Sequence, residues 1–280
     1  MKSVCNMINY KTYQPDGCLA EYVRYFWSLE VEVERMNGPF VHRALPDNCI
    51  ELIFYCRGKL SISSSDGMEG STFHSGVFGQ AKKFRQFKTN QNFRLFGAYL
   101  YPHAFMLLFN LPASELLNLK VDSETLWGDN GRVLEERVIT AETDLKRVQL
   151  VSDFLFKRIS ITKNHENGFI ENFKSVVDNN RVLSIETFAD RCNLSRRQFE
   201  RKFKDFSGFS PKDFFSIVRF KNVLKEIGHG KSLAQVAVNV GYFDQSHFTN
   251  EFKKLTGYSP REFAINQFKA ADTRATVDFK

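Results

Sequence analysis

One pattern occurs twice in this chain, and the repeat limits the fold more than any other feature. Leu194–Phe214 contains Phe199, Phe203, Lys204, Gly208, Ser210, Pro211 and Phe214. Each recurs 49 residues later, as Phe248, Phe252, Lys253, Gly257, Ser259, Pro260 and Phe263. Upstream the displacement is 48, since Ser184 and Ala189 recur as Ser232 and Ala237. The second copy therefore carries one extra residue in its turn. Two in-register copies mean one supersecondary unit used twice.

The apolar spacing makes each copy a pair of helices. Helices are predicted over 169–178, 184–191, 195–206, 211–227, 232–239, 244–255 and 260–268. Ser210-Pro-Lys-Asp and Ser259-Pro-Arg-Glu each place Ser at the N-cap, Pro first in the helix and an acid three residues after the cap. Ser195-x-x-Gln198 and Ser232-x-x-Gln235 fit the capping box. The turns want a left-handed residue, met by Asn193 in one copy and Gly241 in the other. Ala189 and Ala237 are small where two helices must cross closely. These are the marks of a helix-turn-helix.

Projected at helical pitch, Phe199, Phe203 and Phe206 point inward, and Arg197, Arg201 and Lys204 point out, flanked by Arg196 and Glu200. In the second copy Phe248, Phe252 and Leu255 point inward. Ser246, Asn250 and Lys253 point out, flanked by Gln245 and Thr249. Arginine can bind guanine through two bonds and Asn or Gln can do so to adenine, so both helices suit the major groove of double-stranded DNA. The connector between the units, about 17 residues at ~1.5 Å each, spans ~25 Å and could seat them in successive grooves. A basic outer face alone is ordinary solvated surface. Here the chain's charge of +7 is concentrated in the same part: residues 169–280 hold 19 Lys/Arg against 13 Asp/Glu, and residues 1–168 hold 20 against 19. That surplus by itself would equally suit an acidic membrane or an acidic protein.

Residues 1–100 read mainly as strands. Cys49–Gly58, Lys59–Ser63, Gly76–Gly79 and Phe93–Tyr101 are apolar, alternating or aromatic runs with glycine breaks, as in an antiparallel barrel or sandwich. A helix is expected around Leu19–Tyr25. Further helices are expected from Pro102 to Phe109, and over Ala113–Leu119, Leu126–Val138 and Asp144–Ile159. In the last, Leu145, Val148, Val151, Leu155 and Ile159 should share one side. The fold expected is α+β: a β-rich, cupin-like domain with helices over 1–160, a linker over 161–168, an all-α domain of two helix-turn-helix units over 169–270, and a tail over 271–280.

Five cysteines without a Cys-x-x-Cys pair argue against a disulfide frame or a cysteine-rich zinc site and for a reducing compartment. Neither a signal peptide nor a membrane helix is read, so a cytoplasmic location is expected. His42, His74 and His103 lack close His-x-His and Glu spacing, and structural or surface roles are expected for them. Asp47 and Glu51 could face a pocket, though an exposed strand edge or turn is expected. Cys192 is expected to be a small buried hydrophobe. No phosphate loop or nucleophile elbow occurs. No catalytic residue, metal or cofactor is predicted.

Residues 169–268 resemble the AraC-type family of bacterial transcription regulators. The resemblance rests on Gly241-Tyr-Phe-Asp-Gln-Ser-His-Phe, then Phe252-Lys253, Gly257 and Ser259-Pro260. It implies two helix-turn-helix units joined by one helix, with base-reading positions at Arg196, Arg197, Glu200 and Arg201, then Gln245, Ser246, Thr249 and Asn250. Asn250 and Ala264 stand where the family often has Arg, which makes the second reader less cationic. The resemblance further implies a transcription regulator, expected to be an activator, with DNA and RNA polymerase as partners. A small-molecule effector or a homodimer through the first domain is also implied. It assigns no ligand-binding residue. The alternatives are a cupin-like enzyme with the reader as a passenger, which bound metal and turnover would reveal, and a ligand-independent adaptor.

Overall fold

The computed structural model describes residues 7–64, 69–159, 169–174, 185–227, 233–242, 244–263 and 265. The linker and tail expected at 161–168 and 271–280 lie outside the described residues.

The first half is built on two antiparallel sheets. The larger has strand order β1-β2-β9-β4-β7-β10, from β1 (Ile8–Tyr13), β2 (Val23–Val31), β4 (Ile50–Arg57), β7 (Ser75–Phe78), β9 (Phe93–Leu100) and β10 (Lys120–Asp122). The smaller has order β3-β8-β5-β6, from β3 (Phe40–Ala44), β5 (Ser61–Ser64), β6 (Glu69–Ser71) and β8 (Arg85–Thr89). Period-two alternation sends each strand's side chains to opposite faces. Trp27, Leu29, Ile53, Tyr55, Phe93 and Leu95 face the space between the sheets. Phe26, Leu52, Phe54, Phe96 and Ala98 point the other way. That second face is covered by helices α1 (Ala104–Phe109), α3 (Asp129–Thr140) and α4 (Asp144–Ile159). The result is a β unit of two antiparallel sheets with helices on its outer sheet.

Several sequence expectations need correction here. Leu19–Tyr25 is not a helix: a single 3₁₀ turn, Gly17–Glu21, gives way to β2 at Val23. Val23 and Tyr25 pair with Leu100 and Tyr99 of β9, and from Phe26 onward β2 pairs with β1 as well; this sheet pairing overrides local helical spacing. Ala113–Leu119 is one 3₁₀ turn, Ala113–Leu116. The left-handed Asn118 (φ 63°) ends it, and Val121 then pairs with Val77. The helix expected over Leu126–Val138 breaks at Gly128 (φ 58°) into α2 (Ser123–Trp127) and α3. Leu145 is 71% exposed rather than part of the buried side of α4.

The second half is all helix among the described residues: α5 (residues 169–174), α6 (Ile185–Arg191), α7 (Arg196–Ser207), α8 (Pro211–Ile227), α9 (Leu233–Asn239) and α10 (Gln245–Thr256), then a last turn from Pro260. A cluster of phenylalanines, among them Phe173, Phe188, Phe199, Phe203 and Phe214, forms the core of the first unit. Phe220, Phe248, Phe252 and Phe263 form that of the second. Each buried ring contributes about 1.5–3 kcal/mol.

The halves are joined by apolar and polar contacts. Leu107 of α1 belongs to the core of the first unit, and Leu45 packs against that of the second. Lys82 pairs with Asp213 at 2.9 Å, Lys174 with Glu21 at 2.6 Å and Lys221 with Asp47 at 2.8 Å. His103 is buried. Its Nε2 lies 2.8 Å from the Glu21 carbonyl, and its ring stacks on Tyr101 and meets the edge of Phe173. Burial lowers its pKa to about 4, so it sits neutral in the interface.

The Lys221–Asp47 pair is the most enclosed of the three, with side chains 17% and 10% exposed. Removing one partner of a buried pair strands the other charge. Asp47→Ala should therefore cost about 3–5 kcal/mol. The double variant Asp47→Leu with Lys221→Met should recover most of it. Urea unfolding followed by tryptophan fluorescence measures both. An unchanged midpoint in the single variant would show that this pair does not hold the halves together.

Candidate nucleic-acid interface and the cavity behind it

The two turns are built alike. In the first unit Leu194 N–H donates to the Ala189 carbonyl at 3.1 Å, and in the second Tyr242 N–H donates to that of Ala237 at 3.0 Å. Both alanines are buried. The left-handed residues fall where expected, Asn193 with φ 52° and Gly241 with φ 86°. From Ser195 and Asp244 onward the displacement is 49, so the extra residue lies between Tyr242 and Asp244.

Helices α7 and α10 start at strong caps. Ser195 and Gln198 form the reciprocal box, and Asp244 Oδ1 accepts from His247 N–H at 2.7 Å. Ser210 and Ser259 cap the helices that follow, accepting from Asp213 N–H at 3.2 Å and Glu262 N–H at 3.3 Å. The Ser232 box lies outside the described residues.

The outward faces carry the residues expected from the sequence. Arg196, Arg197, Arg201 and Lys204 are exposed and Glu200 half-buried on α7; Gln245, Ser246, Asn250 and Lys253 are exposed and Thr249 half-buried on α10. One refinement concerns Arg196, which pairs with Glu200 at 3.0 Å and faces Glu186 at 3.7 Å. These carboxylates raise its pKa and offset much of its field. Arg197 and Arg201 make no ion pair among the described residues, and remain the uncompensated guanidinium groups of the first reader. On α10, His247 meets Glu251 at 3.3 Å.

The far ends of the same two helices are held by the first half, at equivalent positions. Gln80 Nε2 donates to the Ser207 carbonyl at 2.9 Å and to the Asn48 carbonyl at 3.2 Å. Arg43 Nη1 donates to the Thr256 carbonyl at 2.9 Å. The Arg43 guanidinium also lies between the rings of Phe84 and Tyr258, 4.2 and 4.0 Å from their centroids. Ser207 and Thr256 correspond under the 49-residue displacement, and both make the same local bonds, to Phe209 and to Tyr258. Sequence reasoning missed Gln80, Phe84 and Arg43. The repeated helix ends were visible, but nothing in the sequence marks their partners.

Arg43 also lines a cavity of about 110 Å³ between the two sheets. Its wall includes Tyr10, Tyr25, Trp27, Tyr55, Tyr99 and Glu51. The expectation of an exposed edge for Asp47 and Glu51 is corrected here. Strand alternation turns Glu51 inward opposite Tyr99, and Asp47 is drawn into the interface by Lys221. Burial alone would raise the Asp47 carboxyl, but Lys221 and the Cys49 N–H hold it below its usual value. Burial, reinforced by Asp47 and opposed by Arg85, pushes Glu51 up to about 8.

The three histidines lie apart. His42 lines the cavity and is kept neutral by burial, its pKa lowered to about 4; His74 is exposed; His103 is in the interface. Among the described residues no three His, Cys, Asp or Glu side chains gather as metal ligands would. Cys49 is buried, Cys18 exposed, and Cys192 half-buried against the first helical core. No helix of the described residues is long and apolar enough to cross a membrane.

Comparison with known proteins divides along the same line. Residues 188–265 match the family model described as "Helix-turn-helix domain", and residues 11–122 match "Domain of unknown function (DUF6597)". The HTH-type transcriptional activator RhaS of Escherichia fergusonii is 32% identical over 82 residues, 29% of this chain and 30% of that protein. The probable transcription factor PqrA of Proteus vulgaris is 25% identical over 107 residues, 38% of this chain and 88% of that protein. The match thus spans less than a third of the RhaS sequence. A solved structure of ToxT from Vibrio cholerae, 12% identical, covers 92% of this chain and 98% of its own with a TM-score of 0.44.

The Glu51 carboxyl has a testable signature. In the unfolded chain it loses its proton near 4.5, and in the folded protein near 8. A raised carboxyl contributes stability below the unfolded value that is lost as pH rises through the folded one. Glu51→Gln should therefore be no more stable than wild type at pH 4. At pH 7 it should gain on wild type by up to roughly 3 kcal/mol. Thermal unfolding across this range measures the difference. A constant difference would mean that Glu51 is solvated.

Proposed function

We propose that this chain, whose residues 188–265 form an AraC-type helix-turn-helix domain, is a sequence-specific DNA-binding transcription regulator. The observation that carries the reading is the pairing of α7 and α10. Both are capped and exposed at their N-terminal halves, both present side chains able to read bases, and the single helix α8 joins their units. Arg197, Arg201 and Lys204 are assigned to the first half-site, with Arg196 and Glu200 as a mutually paired flank. Gln245, Ser246, Thr249, Asn250 and Lys253 are assigned to the second. The proposal takes the protein as an activator in the cytoplasm that contacts RNA polymerase and works by binding rather than by turnover.

Control is assigned to the first domain. It grips the C-terminal ends of both readers, so a change in that grip changes how the readers are presented to two successive major grooves. Arg43 links the cavity to the second reader, and a small-molecule effector bound there would act through it. A homodimer, if formed, is assigned to this same domain.

Selection of binding sites from a randomised duplex pool with the full chain, followed by salt titration of the winner, tests the reading. A bipartite site bound about 10³-fold or more above random DNA is expected. Weak, steeply salt-dependent binding without a consensus would reduce the basic face to a general electrostatic one. On the selected site, Arg197→Ala and Arg201→Ala should each weaken binding by about 1–3 kcal/mol. Ser246→Ala and Asn250→Ala should cost less. The reverse order in a titration would assign the larger share of affinity to the second reader.

A further inference from the structure

We propose that the cavity between the two sheets is a site for a small organic cation, a short-chain alkylammonium ion, received by the Glu51 carboxyl inside a cage of tyrosines. This rests on the reading of the cavity as the effector site.

Three observations carry it. The first is the wall. Tyr25 and Tyr99 stack with centroids 5.2 Å apart, and Tyr10 lies over Trp27 at 6.3 Å. Ring faces attract a desolvated cation and do nothing for an anion. The second is the charge set. Tyr10, Tyr25, Tyr55 and Tyr99 all feel the Glu51 charge, and each is raised by its own burial first. Phenols held neutral in this way leave Glu51 as the acidic group of the cage.

The basic groups around the cavity are already committed or silent. Arg43 is bonded to Thr256 and stacked between two rings. His42 is neutral. Arg85 lies over Phe78 and reaches the Leu119 carbonyl at 3.5 Å. An anionic ligand would therefore have to break existing contacts, and a cation would not.

The third is size. At about 110 Å³ the space is smaller than the ~150 Å³ cavity that holds a benzene ring, which suits a short-chain amine and leaves no room for a ring-bearing one. Burial in the cage and the nearby Asp47 keep a proton on Glu51 near neutrality. An entering ammonium ion takes over the proton's role as the balancing charge, and the proton leaves to buffer. A paired carboxylate is tolerated in such a place where a bare one is not.

The test uses the full chain and three probes of one shape: butylammonium, 1-butanol and butyrate, titrated calorimetrically at pH 7. Butylammonium should bind at least tenfold more tightly than 1-butanol, and butyrate should not bind. In buffers of different ionisation enthalpy, the butylammonium signal should report proton release approaching one per cation bound. Glu51→Gln should lower butylammonium affinity at least tenfold and abolish the proton release while leaving 1-butanol binding in place, which also shows that the variant is folded.

Equal binding of the alcohol and the amine, an unaffected Glu51→Gln variant, or no binding at millimolar concentrations would overturn the proposal. Operator affinity is then measured with and without saturating butylammonium. If the cation binds as stated and DNA affinity does not move, the cage stands and the assignment of control to this cavity falls.

Discussion

Two glycines determine how closely the halves of this protein can meet. Gly208 and Gly257 end the two reading helices in the left-handed conformation, at φ 79° and 77°. Both also lie against the first half. A Cβ on Gly208 would stand 2.6 Å from Gln80 Oε1, and one on Gly257 would stand 2.5 Å from a ring carbon of Phe84. A glycine commonly ends a helix because no other residue takes that backbone conformation as cheaply. Here the missing side chain also lets Gln80 and Arg43 reach the last carbonyls of the helices. Local helix chemistry and interface geometry thus select the same residue at both positions.

The architecture separates what reads from what holds. The N-terminal turns of α7 and α10 stay open, with their polar residues on the surface. Their C-terminal turns are capped by groups from β3 and from the segment after β7. A rigid phenylalanine core lies between the two ends of each unit, so displacement at one end is transmitted to the other rather than absorbed.

Much of the second half was legible in the sequence because its signals are local. The 49-residue repeat, the Ser-Pro caps, Asn193 and Gly241 in the turns and the inward phenylalanines each depend on neighbours within a few residues. The outward faces follow from the same periodicity. The first half was less legible because sheet pairing is not local. Leu19–Tyr25 has helical spacing, yet Val23 and Tyr25 are claimed by β9, more than 70 residues away in sequence. Val121 is likewise drawn into β10 by Val77. Glu51 shows the limit most clearly. Alternation along β4 shows that it faces opposite to Leu52, but only the assembled sheets make that side the wall of a cavity. Asp47 needed Lys221, 174 residues away, to become an interface residue.

Arg43 belongs to two sites at once, one wall of the cavity and one end of α10. Any coupling carried by a shared group runs equally in both directions, because the two binding free energies close a thermodynamic cycle. Whatever factor an occupant of the cavity imposes on the second reader's affinity for DNA, DNA imposes on the cavity's affinity for its occupant. If the cavity is the effector site proposed above, a promoter engaged by α10 would set how strongly the effector is held, so the concentration at which the protein responds would depend on the strength of the site it occupies.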